Sequence, residues 1–313
     1  MRTSQTRPPI LFDATPARVT FKRIAGDTSR YLNTLWVGIT TLQAGHVDRP
    51  NWLVLGWSMP QTIGEWQDTN AFIAKSGMAT VLDGIDQYMK VLKRISGLTN
   101  PASELYLTGA ARKSTGARFT IPERFAAVNL AHGGPASPEF VAAIDLLATW
   151  RNHFVHGDRR FPLDKQSRTV LLSADARFKS SLGGTDIRAI LARFDSGAGP
   201  LPNDLIALIS AAQLAVAALD QHLLFNASMQ EYSVALTAFL LDESTDPAAL
   251  LDRLFRYGGK RSSGSVFALM MKSKVARARG SAPCVNQVSR SEFDAVLAMG
   301  RNKASEIFGI ARQ

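Results

Sequence analysis

Residues 137–157 read SPEFVAAIDLLATWRNHFVHG, and they carry the clearest helical pattern in the chain. Ser137 can cap a helix, Pro138 suits the first helical position, and Glu139 lies in the first turn, where the helix dipole favours an acidic side chain. Apolar residues recur at helical spacing along one side, namely Phe140, Ile144, Leu147, Phe154 and Val155. We therefore predict an amphipathic helix over 138–156 whose apolar side is buried.

The rest of the chain also shows helical periodicity, whereas its strand signals are weak. Further helices are predicted after an N-cap at Asp27, over 70–95 and over 203–225, and residues 230–313 read as three or four shorter helices. Residues 97–136 read as a mixed loop, and residues 158–199 as a polar segment with two glycine-rich breaks. Short strands are expected at most at residues 19–21 and at Val170-Leu171-Leu172. These patterns predict an all-α fold, a helical bundle with additional C-terminal helices.

The predicted elements divide the chain into three parts. Residues 1–26 are expected to form an irregular N-terminal segment, and residues 27–228 a helical domain that contains the helix over 138–156. Residues 229–313 form a basic helical C-terminal region.

Composition narrows the range of partners. The 313 residues include 36 Lys and Arg against 26 Asp and Glu, which gives a formal net charge of +10. Such a charge suits a polyanion, with nucleic acid first and an anionic membrane surface second. Cys284 is the single cysteine, so no disulfide framework within the chain and no cysteine metal cluster can form.

The sequence points to a cytoplasmic protein with no membrane partner. The first nine residues are polar and lack the apolar stretch of a signal peptide. The longest apolar run, residues 205–224, is interrupted by Gln213, Asp220, Gln221 and His222, whereas a membrane span needs about 20 apolar residues. A single unpaired cysteine also fits a reducing compartment.

The polar residues at the end of the helix over 138–156 carry the candidate chemistry. Asp145, Thr149, Asn152 and His156 follow steps of four, three and four and so form a second, polar stripe. Arg151 borders the apolar side, and its guanidinium can turn toward His156. The free carbonyls at the end of a helix favour a protonated imidazole.

A histidine beside an arginine suits phosphodiester cleavage by an internal nucleophile. The histidine can take the proton of a ribose 2′-OH or give one to the leaving 5′-oxygen, and the arginine can stabilise charge on the phosphoryl oxygens. This chemistry needs no metal and no cofactor. It requires the 2′-OH, so the expected substrate is RNA and not DNA.

The motif Arg151-Asn152-x-x-x-His156, followed by Gly157, resembles the R-x(4–6)-H motif of HEPN domains. The resemblance implies a helical-bundle endoribonuclease that acts as a homodimer, with two motifs facing each other in a composite site. By this resemblance, Arg151 and His156 are the catalytic pair and Asn152 orients them. Members of the family act as toxins, antiphage effectors and RNA-processing enzymes, so the resemblance also implies an antitoxin or a partner defence protein.

The resemblance also implies a supporting acidic or polar residue on an earlier helix. Asp83 and Asp86 both fit that place, and the sequence does not select between them. His153 lies inside the motif but points away from the polar stripe, so we expect it to take no part in the chemistry.

A second basic feature lies in the C-terminal region. Its candidate RNA-binding residues are Arg256, Lys260, Arg261, Lys272 and Lys274, with Phe255, Tyr257 and Phe267 available for base stacking. The same charges are also compatible with a solvated helix face. Two alternatives to the ribonuclease remain open. One is a catalytically silent HEPN-like module that binds nucleotide, RNA or a protein partner, and the other is a helical DNA-binding regulator.

Overall fold

A computed structural model describes residues 9–44, 62–156, 161–278 and 286–310. These residues form fourteen helices and one small sheet, which confirms the predicted helical class. The long helices are α1 (Pro16–Gln43), α2 (Ile63–Lys93), α5 (Pro138–His156) and α9 (Pro202–Asn226). The shorter ones are α3 (Pro101–Glu104), α4 (Ile121–Ala131), α6 (Lys165–Ser173), α7 (Asp175–Ser181), α8 (Ile187–Ser196), α10 (Met229–Asp242), α11 (Pro247–Phe255), α12 (Gly259–Lys272), α13 (Arg290–Leu297) and α14 (Arg301–Phe308). The strands are β1 (Ile10–Phe12), β2 (Ala276–Ala278) and β3 (Gln287–Val288).

Helix α1 begins eleven residues before the predicted N-cap at Asp27, at Pro16. The hydroxyl of Thr15 accepts a hydrogen bond from the backbone N–H of Arg18 at 3.2 Å, and proline occupies the first helical position. The strand predicted at residues 19–21 is therefore wrong, because these residues lie in the first turns of α1. The prediction of an irregular segment up to residue 26 is wrong for the same reason.

Two glycines of α2 let it lie close against α1. A Cβ atom on Gly77 would stand 2.8 Å from a methyl carbon of Leu32, and one on Gly84 would stand 3.1 Å from Ile24. Both distances are at or below the contact limit of real side chains, so larger residues would push the helices apart. The glycines that weaken the helical pattern of the sequence are thus packing positions, and α2 runs through both without a break.

Helices α5 and α9 form the centre of the core. Trp150 of α5 is 1% exposed, packs edge-on against Phe194 at 5.7 Å and donates its indole N–H to the carbonyl oxygen of Ala198 at 3.1 Å. Helix α9 is long and apolar enough by composition to cross a membrane. In the fold it packs against α1, α2 and α5 with most of its apolar side chains buried, which is compatible with a soluble protein.

The N-terminal strand is the centre of a sheet whose other strands come from the C-terminal region. β1 pairs antiparallel with both β2 and β3, and Ile10 stands opposite Ala278 on one side and Val288 on the other. The predicted boundary at residue 228 falls between α9 and α10, and one hydrophobic core includes residues on both sides of it. Strand pairing thus joins residues 10–12 to residues 276–288, which are far away in the sequence.

The predicted loop over 97–136 and the polar segment over 158–199 both contain further helices. Residues 97–136 include α3 and α4, and residues 158–199 include α6, α7 and α8. The strand predicted at Val170–Leu172 is wrong, because these residues lie in α6. All of these helices except α7 begin at a capping side chain, such as Asp164, which accepts a hydrogen bond from the backbone N–H of Ser167 at 3.0 Å. Their short apolar stripes gain stability from tertiary burial more than from their own periodicity.

A fully buried carboxyl group fastens the start of α1 to α9. Asp220 accepts hydrogen bonds from the backbone N–H of Thr15 at 3.0 Å and from its hydroxyl group. The hydroxyls of Tyr88 and Tyr232 are buried, and burial raises their pKa, an effect that the nearby Asp220 strengthens. Burial likewise raises the pKa of Asp220 to about 6, although the Thr15 hydrogen bonds and the charge of Arg18 act in the opposite direction.

Asp220→Asn is expected to become more stable relative to the wild type as pH rises from about 4 to about 6. The folded protein holds the Asp220 proton up to about pH 6, whereas the unfolded chain releases it near pH 4, so wild-type stability falls across this window. A pKa difference of about two between the folded and unfolded states corresponds to about 3 kcal/mol in the free energy of unfolding. Urea unfolding of both proteins at the two pH values measures the difference between their free energies of unfolding. The other carboxyl groups are the same in both proteins, so their contributions cancel in this difference. An unchanged difference would contradict the buried, protonated state.

Candidate active site

The motif residues lie in the last turns of α5, which spans the predicted range Pro138–His156. Arg151 and Asn152 are both half-buried, and the Arg151 guanidinium donates to the Asn152 side-chain oxygen at 3.2 Å. The backbone of His156 ends the helix, while its side chain and Gly157 lie outside the described residues. The predicted approach of Arg151 to His156 therefore stays a prediction.

Arg151 and Asn152 line a pocket of about 230 Å³ between α5, α2 and the start of α4. Its apolar lining comes from five residues on the three helices, namely Ala79, Leu82, Ile121, Pro122 and Ala148. Its polar lining consists of Arg151, Asn152, Asp83 and Thr120. The arginine thus stands in a small concavity with one carboxylate, one amide and one hydroxyl group. This arrangement suits an anionic ligand with hydrogen-bonding groups around it.

The start of α4, which forms one side of this pocket, is stabilised by a capping box. The Thr120 hydroxyl accepts from the backbone N–H of Glu123, and the Glu123 carboxylate accepts from the backbone N–H of Thr120 at 2.8 Å. Burial acts to raise the pKa of Glu123, but hydrogen bonds from Lys113 and Thr120 hold it below its ordinary value. Sequence reasoning missed this wall, although the pattern Thr-Ile-Pro-Glu at 120–123 is a recognisable signal for a helix start.

The two candidate supporting acids, Asp83 and Asp86, lie in different surroundings. Asp86 pairs with Arg124 and with Lys90, both at 2.6 Å, and these partners hold its pKa below the ordinary value against the opposing effect of burial. Asp83 is exposed at the pocket that Arg151 and Asn152 line, and within the described ranges it forms no ion pair. The Asp83 carboxylate thus lies at the pocket of Arg151 and Asn152, whereas the Asp86 carboxylate is paired with Arg124 and Lys90.

The predicted polar stripe of α5 divides between two neighbours. Asp145 is half-buried beside α6, where burial raises its pKa although a hydrogen bond from Ser167 acts against it. The carboxylates of Asp164 and Glu123 add to this rise by charge repulsion. Asn152, about two turns further along α5, instead lines the pocket with Arg151. Helical spacing alone did not separate these two environments.

His153 and His132 both contact neighbouring side chains or backbone outside the pocket. His153 stacks on Phe194 at 4.7 Å, and its Nε2 lies 2.7 Å from the carbonyl oxygen of Phe161, so its ring packs away from the pocket. The Nε2 of His132 lies 3.2 Å from the Ser103 hydroxyl, and burial lowers the pKa of His132, with the charge of His222 acting in the same direction.

The predicted RNA-binding residues separate into two groups along α12. The guanidinium groups of Arg256 and Arg261 both lie 5.8 Å from the ring centroid of Tyr257, which is 70% exposed, and Lys260 lies in the adjoining first turn of α12. Lys272 and Lys274 lie at the opposite end of the helix, about 18 Å away. The two other predicted stacking residues are less accessible: Phe255 is buried against Phe308, and Phe267 is half-buried under the guanidinium of Arg290.

In the part of the chain that the structure describes, no three His, Cys, Asp or Glu side chains come together as a potential metal site. Comparisons with protein-family models, with curated proteins and with solved structures give no significant match. The fold and the pocket define this chain as a helical protein that has a small pocket, lined by Arg151, near the end of the core helix α5.

Proposed function

We propose that this protein is a metal-independent endoribonuclease of HEPN type. The observation that carries the proposal is the convergence of Arg151 and Asn152 with Asp83 in one pocket, beside the last turn of the helix that bears His156. An arginine in a small concavity can bind a phosphodiester, and a histidine at the end of the same helix can transfer its protons.

In the proposed reaction, His156 takes the proton of the ribose 2′-OH, and the 2′-oxygen attacks the adjacent phosphorus. The Arg151 guanidinium stabilises the negative charge that grows on the phosphoryl oxygens. The P–O5′ bond then breaks, and His156 gives the proton that it took to the leaving 5′-oxygen, which leaves a 2′,3′-cyclic phosphate and a 5′-OH. Asn152 holds Arg151 by its hydrogen bond, and Asp83 completes the polar wall that faces both.

The same proposal includes a homodimer, in which two copies of the motif form one composite site. We further propose a bacterial cytoplasmic toxin or antiphage effector, controlled by an antitoxin or a partner defence protein. These parts rest on the resemblance of the motif. They predict that activity per subunit falls when the protein is diluted below the dimer dissociation constant.

Single-stranded RNA incubated with the protein in EDTA is expected to be cut. The 5′ fragments should carry a 2′,3′-cyclic phosphate, because the nucleophile is internal, and mass spectrometry of the fragments measures it directly. A 2′-O-methyl strand and a DNA strand of the same sequence are matched controls that should stay intact. Cleavage of the DNA, or loss of all cleavage in EDTA, would contradict the proposal.

A second candidate is an RNA-binding module without catalytic activity. The exposed Tyr257 with Arg256 and Arg261 over its ring favours this reading, since base stacking beside cations is a common way to hold a single strand. The assay above separates the two candidates. RNA binding without cleavage, weakened by Tyr257→Ala, would identify an RNA-binding module. Tight, sequence-specific binding to duplex DNA would instead identify a DNA-binding regulator.

A further inference from the structure

A second, larger pocket lies between the first turns of α1 and the segment that follows α12. Its volume is about 530 Å³, and four cationic side chains line it, namely Arg18, Lys22, Arg23 and Lys274. Asp13 is the single carboxylate among its lining residues, and it pairs with Arg277 at 2.7 Å. The positive charge of the lining therefore exceeds what Asp13 can balance.

None of the four lining cations forms an ion pair with a carboxylate within the described ranges. The adjoining sequence segments, residues 1–8 and 279–285, supply no Asp or Glu to offset this charge and contain three arginines. The Arg18 guanidinium is held in place by its hydrogen bond to the carbonyl oxygen of Asp13 at 3.2 Å. Several cations around a concavity concentrate the electric field there and attract anions.

Lys274 occupies this pocket at a conformational cost. Its φ of +60° is a left-handed conformation that glycine and asparagine adopt readily at the end of a helix and that lysine disfavours. The chain nevertheless places a lysine there, with an exposed side chain at the pocket edge. An ammonium group at this position is consistent with a binding role that a less strained glycine could not perform.

The lining has no aromatic side chain, and its apolar members are Ala14 and Val19. It therefore offers charge and hydrogen-bond donors without a surface on which a base could stack. We propose that this pocket binds consecutive phosphate groups, supplied by the polyphosphate of a nucleotide or by the backbone of a nucleic acid strand. The pocket is separate from the residues around Arg151, and its proposed role stands independently of RNA cleavage.

Calorimetric titration at low salt tests the site with three probes, namely inorganic tripolyphosphate, ATP and a short DNA strand. DNA lacks the 2′-OH, so binding is measured without cleavage whether or not the protein is a ribonuclease. Lys22→Glu is expected to weaken binding at least about tenfold, because it replaces a phosphate contact by repulsion. The matched control is Lys303→Glu, an exposed lysine of α14 whose replacement changes the net charge equally.

Lys274→Gly provides a second variant that does not threaten the fold. It removes the cation and relieves the left-handed lysine, so binding should weaken while the thermal unfolding midpoint stays the same or rises. Tight binding of tripolyphosphate and ATP indicates a nucleotide source, and preferential binding of DNA indicates a strand. The proposal is overturned if no probe binds, or if Lys22→Glu and Lys303→Glu weaken binding equally.

Discussion

Arg151→Ala is expected to lower the rate of RNA cleavage by about a thousandfold or more while leaving the fold intact. The expected size is that of an arginine that stabilises charge on a transferring phosphoryl group. Stability should change little, because Arg151 is half-exposed and its hydrogen bond goes to the adjacent Asn152. Single-turnover cleavage of a labelled RNA and urea unfolding measure the two properties.

Related variants separate the roles within the motif. His156→Ala should be as inactive as Arg151→Ala, since it removes the proton transfer, whereas Arg151→Lys keeps the charge but loses the planar fork that grips two phosphoryl oxygens. Arg188→Ala, at an exposed arginine of α8, is the matched control and should keep full activity. Wild-type cleavage rates in Arg151→Ala would rule out the proposed site.

Arg124→Met is expected to lower the free energy of unfolding by about 3–5 kcal/mol, the usual range for removing one partner of a buried ion pair. Arg124 is 3% exposed and donates to Asp86 at 2.6 Å and to the carbonyl oxygens of Tyr106 and Leu107 at 2.8 and 2.9 Å. Methionine fills a similar volume but leaves these acceptors without that donor. Urea unfolding at neutral pH measures the change.

The same substitution at an exposed ion pair is the control for this loss. Arg30 pairs with Asp27 at 3.1 Å, and both side chains are largely solvated. Arg30→Met should therefore cost less than about 1 kcal/mol. Equal effects of the two substitutions would show that Arg124 does not hold α4 and the preceding segment to α2 in the way its contacts indicate.

The sequence predicted some helices to within a few residues and misplaced others. Helix α5 carried every local signal at once, with Ser137, Pro138 and Glu139 at its start and a continuous apolar side, so its bounds were predictable. The start of α1 was missed, although Thr15-Pro16 is a normal helix start, because the basic and polar residues before Asp27 obscured the apolar stripe. Helices α6 to α8 are short, and their stripes become recognisable only when the surface that buries them is known.

The sequence by itself determined the helical class, the position of the motif on α5 and the excess of positive charge. Each follows from local spacing or from composition, which do not depend on distant residues. Tertiary structure alone decided that Asp83 and not Asp86 lines the same pocket as Arg151, that β1 pairs with strands from residues 276–288, and that Lys274 lines one pocket with Arg18 and Lys22. The physical reason is that local periodicity shows which face of a helix is apolar but not which other helix covers it. That pairing depends on packing between residues that are far apart in the chain.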